Sequence, residues 1–166
     1  MIIEEIDPHT DVIEEITKGL FKEYEEKYGD YFKDSINEED KNEFLPPKGC
    51  YLVMKFSNEI VAMGAFKAFD DSTAELKRIW THRNYRQLGL AVKLVNILEE
   101  KAFELGYEKI FLTTGFRQPE AVNLYLKLGY HALFDVNQPF ETYAEPPFDG
   151  RLRFIKARNK AHSLLG

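Results

Sequence analysis

Leu76 to Leu98 is a run of 23 residues without one acid, yet Lys77, Arg78, Arg83, Arg86 and Lys93 all fall within it. Inside the run, Arg86, Gly89 and Ala91 keep an Arg-x-x-Gly-x-Ala spacing at the point where a helical pattern begins. Basic side chains gathered at a helix start suit an anion. The first turn presents unpaired backbone N–H groups and the positive end of the macrodipole. Glycine at position 89 removes the Cβ that would hold a phosphate off the backbone, and small Ala91 keeps the next turn open. Arg86 can close over the oxygens with a charge-assisted hydrogen bond. No Gly-Lys-Ser/Thr follows and Gly-x-Gly-x-x-Gly is absent, which excludes the Walker loop and the dinucleotide fingerprint. Spacing alone is a weak signal, and an ordinary helix start explains it as simply.

The whole chain has the opposite sign. Its 166 residues carry a net charge of −6, with 15 acids against 5 bases in residues 1–43. That acidic segment reads either as a solvated helical face or as a field that steers cationic substrates toward a cleft. The basic residues form one short island rather than a stripe, so nucleic-acid binding is not expected. The composition, 44% apolar and 30% charged, is globular and sufficient for a core without staples. A single cysteine, Cys50, allows no internal disulfide. The first residues lack a basic stretch followed by an apolar run, and no window is long enough to cross a bilayer. A soluble, cytoplasmic protein with no membrane contact is the expectation.

Positioning the basic loop requires elements on both sides of it. Val12, Ile13, Ile16, Leu20 and Tyr24 recur at helical spacing after a Thr10 or Asp11 cap, behind a first strand in "MIIEEID". A short second helix is expected in "DSINEEDKNEF", before the "LPPKG" turn. Three apolar runs, "CYLVMKF", "EIVAMGAFKAF" and "TAELKRIWT", are separated by turn signals and predict an antiparallel meander. A helix over 89–105 follows, with Ala91, Leu94, Val95, Leu98, Ala102 and Leu105 on one stripe and Gly106 ending it. "KIFLTT" is a strand, "PEAVNLYLKLG" a helix between Pro119 and Gly129, and "YHALFDV" and part of the tail are further strands. Strand–helix–strand around 75–114 predicts a local parallel pair, hence a mixed α/β sheet with helices on its faces.

The stretch "ELKRIWTHRNYRQLGLAVKLVNILEEKAFELGYEKIFLTT", followed by "NLYLKLGY", resembles the GNAT superfamily of acetyl-CoA-dependent N-acyltransferases. The resemblance runs from about Leu52 to Phe134, roughly half the chain. "YRQLGLA" is similar to that family's pyrophosphate loop, and "AVNLYLKLGY" to a later motif that places an asparagine near the cofactor and a tyrosine near its sulfur. Two departures stand out: Gln87 occupies a position where glycine is frequent, and Ala91 one where glycine is common. The resemblance implies a single α/β (α+β) domain over residues 1–166. Its central sheet would be mixed and mainly antiparallel, of six to seven strands, flanked by about four helices.

By that resemblance, the backbone of Gln87, Leu88, Gly89, Leu90 and Ala91, helped by Arg86, holds the diphosphate of acetyl-CoA. Ile79 and Thr81 meet the pantetheine amides, and Asn123 either bonds the pantetheine or caps local backbone. Moving an acyl group from a thioester to an amine requires a base, an oxyanion donor and a proton for the thiolate. Glu75 is the candidate base, or else a strand glutamate paired with Lys77. The backbone N–H near Thr81 is the oxyanion donor. Tyr125 is the acid, or helix core like Leu124 and Leu128. The implied activity is direct transfer to a primary amine in a ternary complex, on a small-molecule amine or alternatively a protein amine. An inactive acyl-CoA-binding sensor or interaction module is the alternative, and a homodimer is left open. The acidic segment favours a small amine over an anionic acceptor.

Other residues carry less. Cys50 opens a strand without an obvious histidine partner and reads as a small buried apolar residue rather than a nucleophile. His9, His82, His131 and His162 show no metal-ligand spacing, so no metal is expected. Trp80 and Tyr85 flank the loop as packing residues.

Overall fold

The computed structural model describes residues 1–32 and 40–159. Its strands are β1 (Ile2–Glu5), β2 (Cys50–Phe56), β3 (Glu59–Ala68), β4 (Thr73–Thr81), β5 (Lys109–Gly115), β6 (His131–Ala132) and β7 (Arg151–Ala157). They form one sheet in the order β1-β2-β3-β4-β5-β7-β6. Every neighbouring pair is antiparallel except β4 and β5, which run parallel because α2 (Leu90–Glu104) crosses between them. The meander has local causes. Ser57 and Asn58 both take positive φ, which joins β2 to β3 by a two-residue hairpin turn whose twist matches the strands.

About four helices are expected from the sequence; the described residues contain three α-helices, α1 (Asp11–Tyr28), α2 and α3 (Pro119–Lys127). The short helix expected in "DSINEEDKNEF" lies largely outside the described residues, and its described end, Lys41–Phe44, is a 3-10 turn capped by the Asp40 carboxylate. The strand expected in "YHALFDV" shortens to two residues. After the Leu133 N–H reaches Arg153 O, the chain turns off the sheet, where the Tyr143 hydroxyl donates to Asp135 O at 2.8 Å and Phe134 packs against Phe140, Tyr143 and Phe154.

The two later helices end alike. Gly106 and Gly129 take positive φ, and in each case the next residue's N–H reaches back five positions, Tyr107 to Ala102 O and Tyr130 to Tyr125 O. This is the Schellman ending that glycine permits. Leu105, expected on the apolar stripe of α2, is instead exposed, because it is the last residue before that reversal.

The sheet has a core on each face. Leu94, Val95, Leu98 and Ala102 of α2 and Val122 and Tyr125 of α3 pack with Leu52, Phe66, Leu76, Leu112 and Phe154. Gly64 lets α2 settle there, since a Cβ at that position would meet Ile79, Leu98 and Leu94 at 2.8, 2.9 and 3.1 Å. On the other face, Ile13, Ile16 and Leu20 of α1 pack with Tyr51, Val53, Met63, Ala65 and Trp80.

One polar group is built into the first core. The Glu99 carboxylate, 6% exposed, accepts from the Tyr130 hydroxyl at 2.6 Å and from Lys156 Nζ at 3.0 Å. Lys156 also donates to Leu128 O at 2.7 Å, so one lysine joins α2, the end of α3 and β7. Burial and then the Glu99 charge push the Tyr130 phenol far above its ordinary range, which keeps it a donor. Lys156→Met is expected to cost about 2–3 kcal/mol, less than orphaning a fully buried charge because the lysine end is partly solvated. Urea unfolding of the two proteins measures it, and a change under 0.5 kcal/mol or so would refute the account.

Candidate active site

The parallel pairing of β4 with β5 is three rungs long: Thr73 with Lys109, Ala74 with Ile110 and Glu75 with Phe111. Beyond Glu75 the strands separate, and the gap becomes a cleft of about 810 Å³. Its walls are Leu76–Thr81 of β4, Leu112–Thr114 on β5, the loop into α2, α3 as far as Tyr125 and the second half of α1. The divergence coincides with a bulge. Register slips between Met63 and Ala65, and Arg78 takes a φ of 61°, which inserts an extra residue into β4 and turns its end away.

Residues directly opposite one another on antiparallel strands share a face. Phe66 and Leu76 therefore look toward α2, while Ala65 with Lys77 and Met63 with Trp80 look toward α1. The cleft consequently passes through the sheet, with α2 and α3 on one side and α1 on the other. The His82 N–H donates to Val61 O at 2.8 Å, so Thr81, one step earlier and opposite Ala62, turns its own N–H and C=O away from β3.

The basic loop lies at the mouth of this gap. A 3-10 turn, Arg83–Tyr85, leads to Gln87 at φ 65° and Gly89 at φ 76°, two left-handed residues separated by one. Such an alternation bends consecutive N–H groups toward a common point. No side chain caps the first turn of α2, and a Cβ built on Gly89 would meet nothing within 4 Å. The first turn thus has no side chain bonded to it, and Gln87, Gly89, Leu90 and Ala91 line the cleft. Arg86 is held across the opening: Nε donates to Thr81 O at 3.1 Å, and Nη2 reaches both carboxylate oxygens of Glu23 on α1 at 3.1 and 3.3 Å.

Of the residues singled out from the sequence, Ile79, Thr81, Arg86, Gln87, Gly89, Leu90, Ala91 and Tyr125 line the cleft. Leu88 is exposed on the outside of the loop, so its contribution to an anion site is restricted to its backbone. Asn123 lies exposed on α3 and is not among the lining residues. Glu75 also lies outside the lining. It faces the α1 side, opposite Lys67, with its carboxylate 3.8 Å from Lys77 Nζ and 13% exposed. Tyr125 does both things considered for it, packing on Tyr130 and Phe154 while forming part of the cleft floor. Burial pushes its hydroxyl above the ordinary tyrosine range, so it carries its proton at neutral pH. Cys50 is buried and its thiol pushed up to about 11, far from a nucleophile's range.

Two residues before Glu120, at the start of α3, the cleft is also lined by Gln118, a polar group that the motif reading passed over. Its Oε1 accepts from the Gly115 N–H at 3.0 Å, the Thr114 hydroxyl at 2.8 Å and the Tyr28 hydroxyl at 3.3 Å. The backbone donor fixes which end of the amide is oxygen. Its place just before Pro119, at the cap of α3, was the available signal. Tyr28 also fixes α1 here, since a Cβ on Gly115 would collide with its ring. Among the described residues no group of three His, Cys, Asp or Glu side chains could hold a metal, and no helix is long and apolar enough to cross a membrane.

Comparison with known proteins agrees with this geometry. Residues 12–130 match the acetyltransferase (GNAT) family. The chain is 27% identical over 114 residues to "Probable N-acetyltransferase camello" of Xenopus tropicalis, covering 68% of this chain and 52% of the relative. It spans about half the length of the curated relatives it matches. A GNAT acetyltransferase from Staphylococcus aureus Mu50 shares the fold with a TM-score of 0.67 at 17% identity, covering 94% of this chain and 99% of that one. A Bacillus subtilis acetyltransferase in complex with CoA superposes with a TM-score of 0.65 at 18% identity over 95% and 98% of the two chains. With most of its length matched and the splayed sheet in place, the chain belongs to the acetyltransferase (GNAT) family.

Proposed function

We propose that the chain is an acetyl-CoA-dependent N-acetyltransferase that moves an acetyl group to a primary amine by direct transfer in a ternary complex. The observation that carries this is the open, uncapped first turn of α2, bent by Gln87 and Gly89 and set at the mouth of the gap between β4 and β5. Backbone donors over residues 87–91 suit a diphosphate, and the B. subtilis neighbour is a complex with CoA. Acetyl-CoA would supply a thioester carbonyl and a thiol leaving group. Thr81 offers a main-chain N–H toward the gap, its C=O already accepting from Arg86, with Ile79 beside it; Asn123 would have to reach in from outside the lining. Tyr125, protonated and on the floor, supplies the leaving sulfur with a proton. Glu75, on the α1 side, receives the proton of the incoming ammonium directly or through water. The N–C bond forms as the C–S bond breaks. Of the three ammonium protons one stays on the nitrogen, one balances the sulfur and one is released.

The acceptor is a small-molecule amine on this reading, and a protein amine is the alternative. Titrating acetyl-CoA into the protein in a calorimeter, then following thiol release over a panel of amines, tests the function. A binding heat, a raised melting temperature and thiol release with at least one amine are expected. No heat and no thermal shift at saturating acetyl-CoA would overturn the reading.

A further inference from the structure

The charge of the cleft opposes that of the chain. Its charged lining residues are Lys27, Lys77, Arg78, Arg86 and Arg151 against Glu23 and Glu120. Arg86 stands on the β4 lip beside the α2 turn and is paired with Glu23. Arg151 stands on the other lip, at the start of β7 and opposite Gly115 of β5. Leu152 and Phe154 face the α2 side, so by alternation Arg151 faces the α1 side, where its guanidinium lies over the Phe32 ring at 5.4 Å from the centroid.

Among the described residues, the charge of Arg151 is in surplus there. Its carboxylate partner, Asp149, sits 3.5 Å away but is already taken by Arg153, whose two terminal nitrogens reach both its oxygens at 2.6 and 3.1 Å. Two guanidinium groups therefore share one carboxylate. The Arg153 hydrogen bonds hold Asp149 down at about 2, so the aspartate stays ionised and committed at any working pH. Beside Arg151 the wall is aromatic: Tyr24 and Phe32, from α1 and its end, pack on each other and line the cleft, while Phe21 further along α1 lies under the Arg78 guanidinium at 4.7 Å. An arginine stacked on a ring keeps the edge of its guanidinium for a planar anion.

We propose that the acceptor is a free amino acid with an apolar or aromatic side chain, its carboxylate resting on Arg151 and its side chain on the α1 aromatic wall. This rests on the acetyltransferase reading and narrows its substrate class. The acidic first segment, which from sequence favours a non-anionic amine, does not set the charge of the cleft: Glu15, Glu25 and Glu26 are exposed, and Glu23 is the member of α1's acids that lines the cleft. The amine then enters the gap from the side on which Glu75 lies, away from the diphosphate loop.

Phenylalanine and phenethylamine differ only in the carboxylate, so they make the test. With the protein saturated in coenzyme A, calorimetry is expected to show phenylalanine binding at least tenfold tighter than phenethylamine. The kcat/KM ratio for acetylation should follow the same order. Arg151→Gln should reduce the preference at least tenfold, and Arg151→Lys should retain part of it; coenzyme A affinity of each variant checks that it is folded. Equal or tighter binding of phenethylamine, binding of neither compound, or an unchanged preference in Arg151→Gln would overturn the proposal. Failure of the parent reading looks different, because then coenzyme A itself does not bind.

Discussion

Gly89→Asp is expected to abolish coenzyme A binding while leaving the fold intact. Gly89 sits at φ 76°, where an L residue is strained by roughly 1–2 kcal/mol, but aspartate tolerates left-handed φ better than most, so α2 should still form. Nothing lies within 4 Å of the Cβ position, so the cost is confined to the backbone strain. It does place a negative charge beside the backbone donors of the first turn of α2. Like charges about 4 Å apart at an effective dielectric near 20 repel by roughly 4 kcal/mol, which is on the order of a thousandfold in affinity. Calorimetry should show at least a 100-fold weaker complex, with a melting temperature only a few degrees below that of the parent. A variant that still binds normally would remove the helix turn from the donor site, and with it the basis of the proposed reaction.

The second large effect is on the chemical step. Glu75→Gln should lower kcat about 100-fold near neutral pH, the lower part of the range for loss of a general base. Coenzyme A affinity should stay within a few-fold, because Glu75 is outside the cleft lining. The pH profile carries the decision. With the carboxylate present, the rate levels once the base is ionised. In the glutamine variant it keeps climbing about tenfold per pH unit until the amine loses its own proton, which for a free amino acid lies above the peptide α-amino value of about 8. If the glutamate merely pairs with Lys77, 3.8 Å away, the substitution changes stability slightly and leaves the profile parallel to the parent's.

Legibility followed sequence distance. The loop into α2 could be read because its signals, a glycine, an arginine and an absence of acids, lie within a few residues of one another. The ends of α2 and α3 were readable from Gly106 and Gly129, which act through hydrogen bonds no more than five residues long. The parallel pair followed from a helix between two strands. What could not be read depends on partners far along the chain. Arg86 meets Glu23 across 63 residues, and Tyr28 meets Gln118 across 90. The bulge at Arg78 has no glycine to announce it. The strand pattern of "YHALFDV" was overridden by aromatic packing of Phe134 against residues up to Phe154. The cationic wall was hidden because Lys27, Arg78 and Arg151 come from three separate elements.

The helix that roofs the cleft is also the one least embedded in the protein. α2 has seven buried residues, whereas α1 has two, Ile13 and Tyr28, and meets the lips of the opening through Glu23 and Tyr28. Substitutions along its remaining surface therefore cost little folding energy, typically within about 0.5 kcal/mol each. On the proposed reading, diverging descendants of this chain can rewrite the acceptor preference on α1 by drift, while a donor site at α2, with seven buried residues behind it, resists the same change.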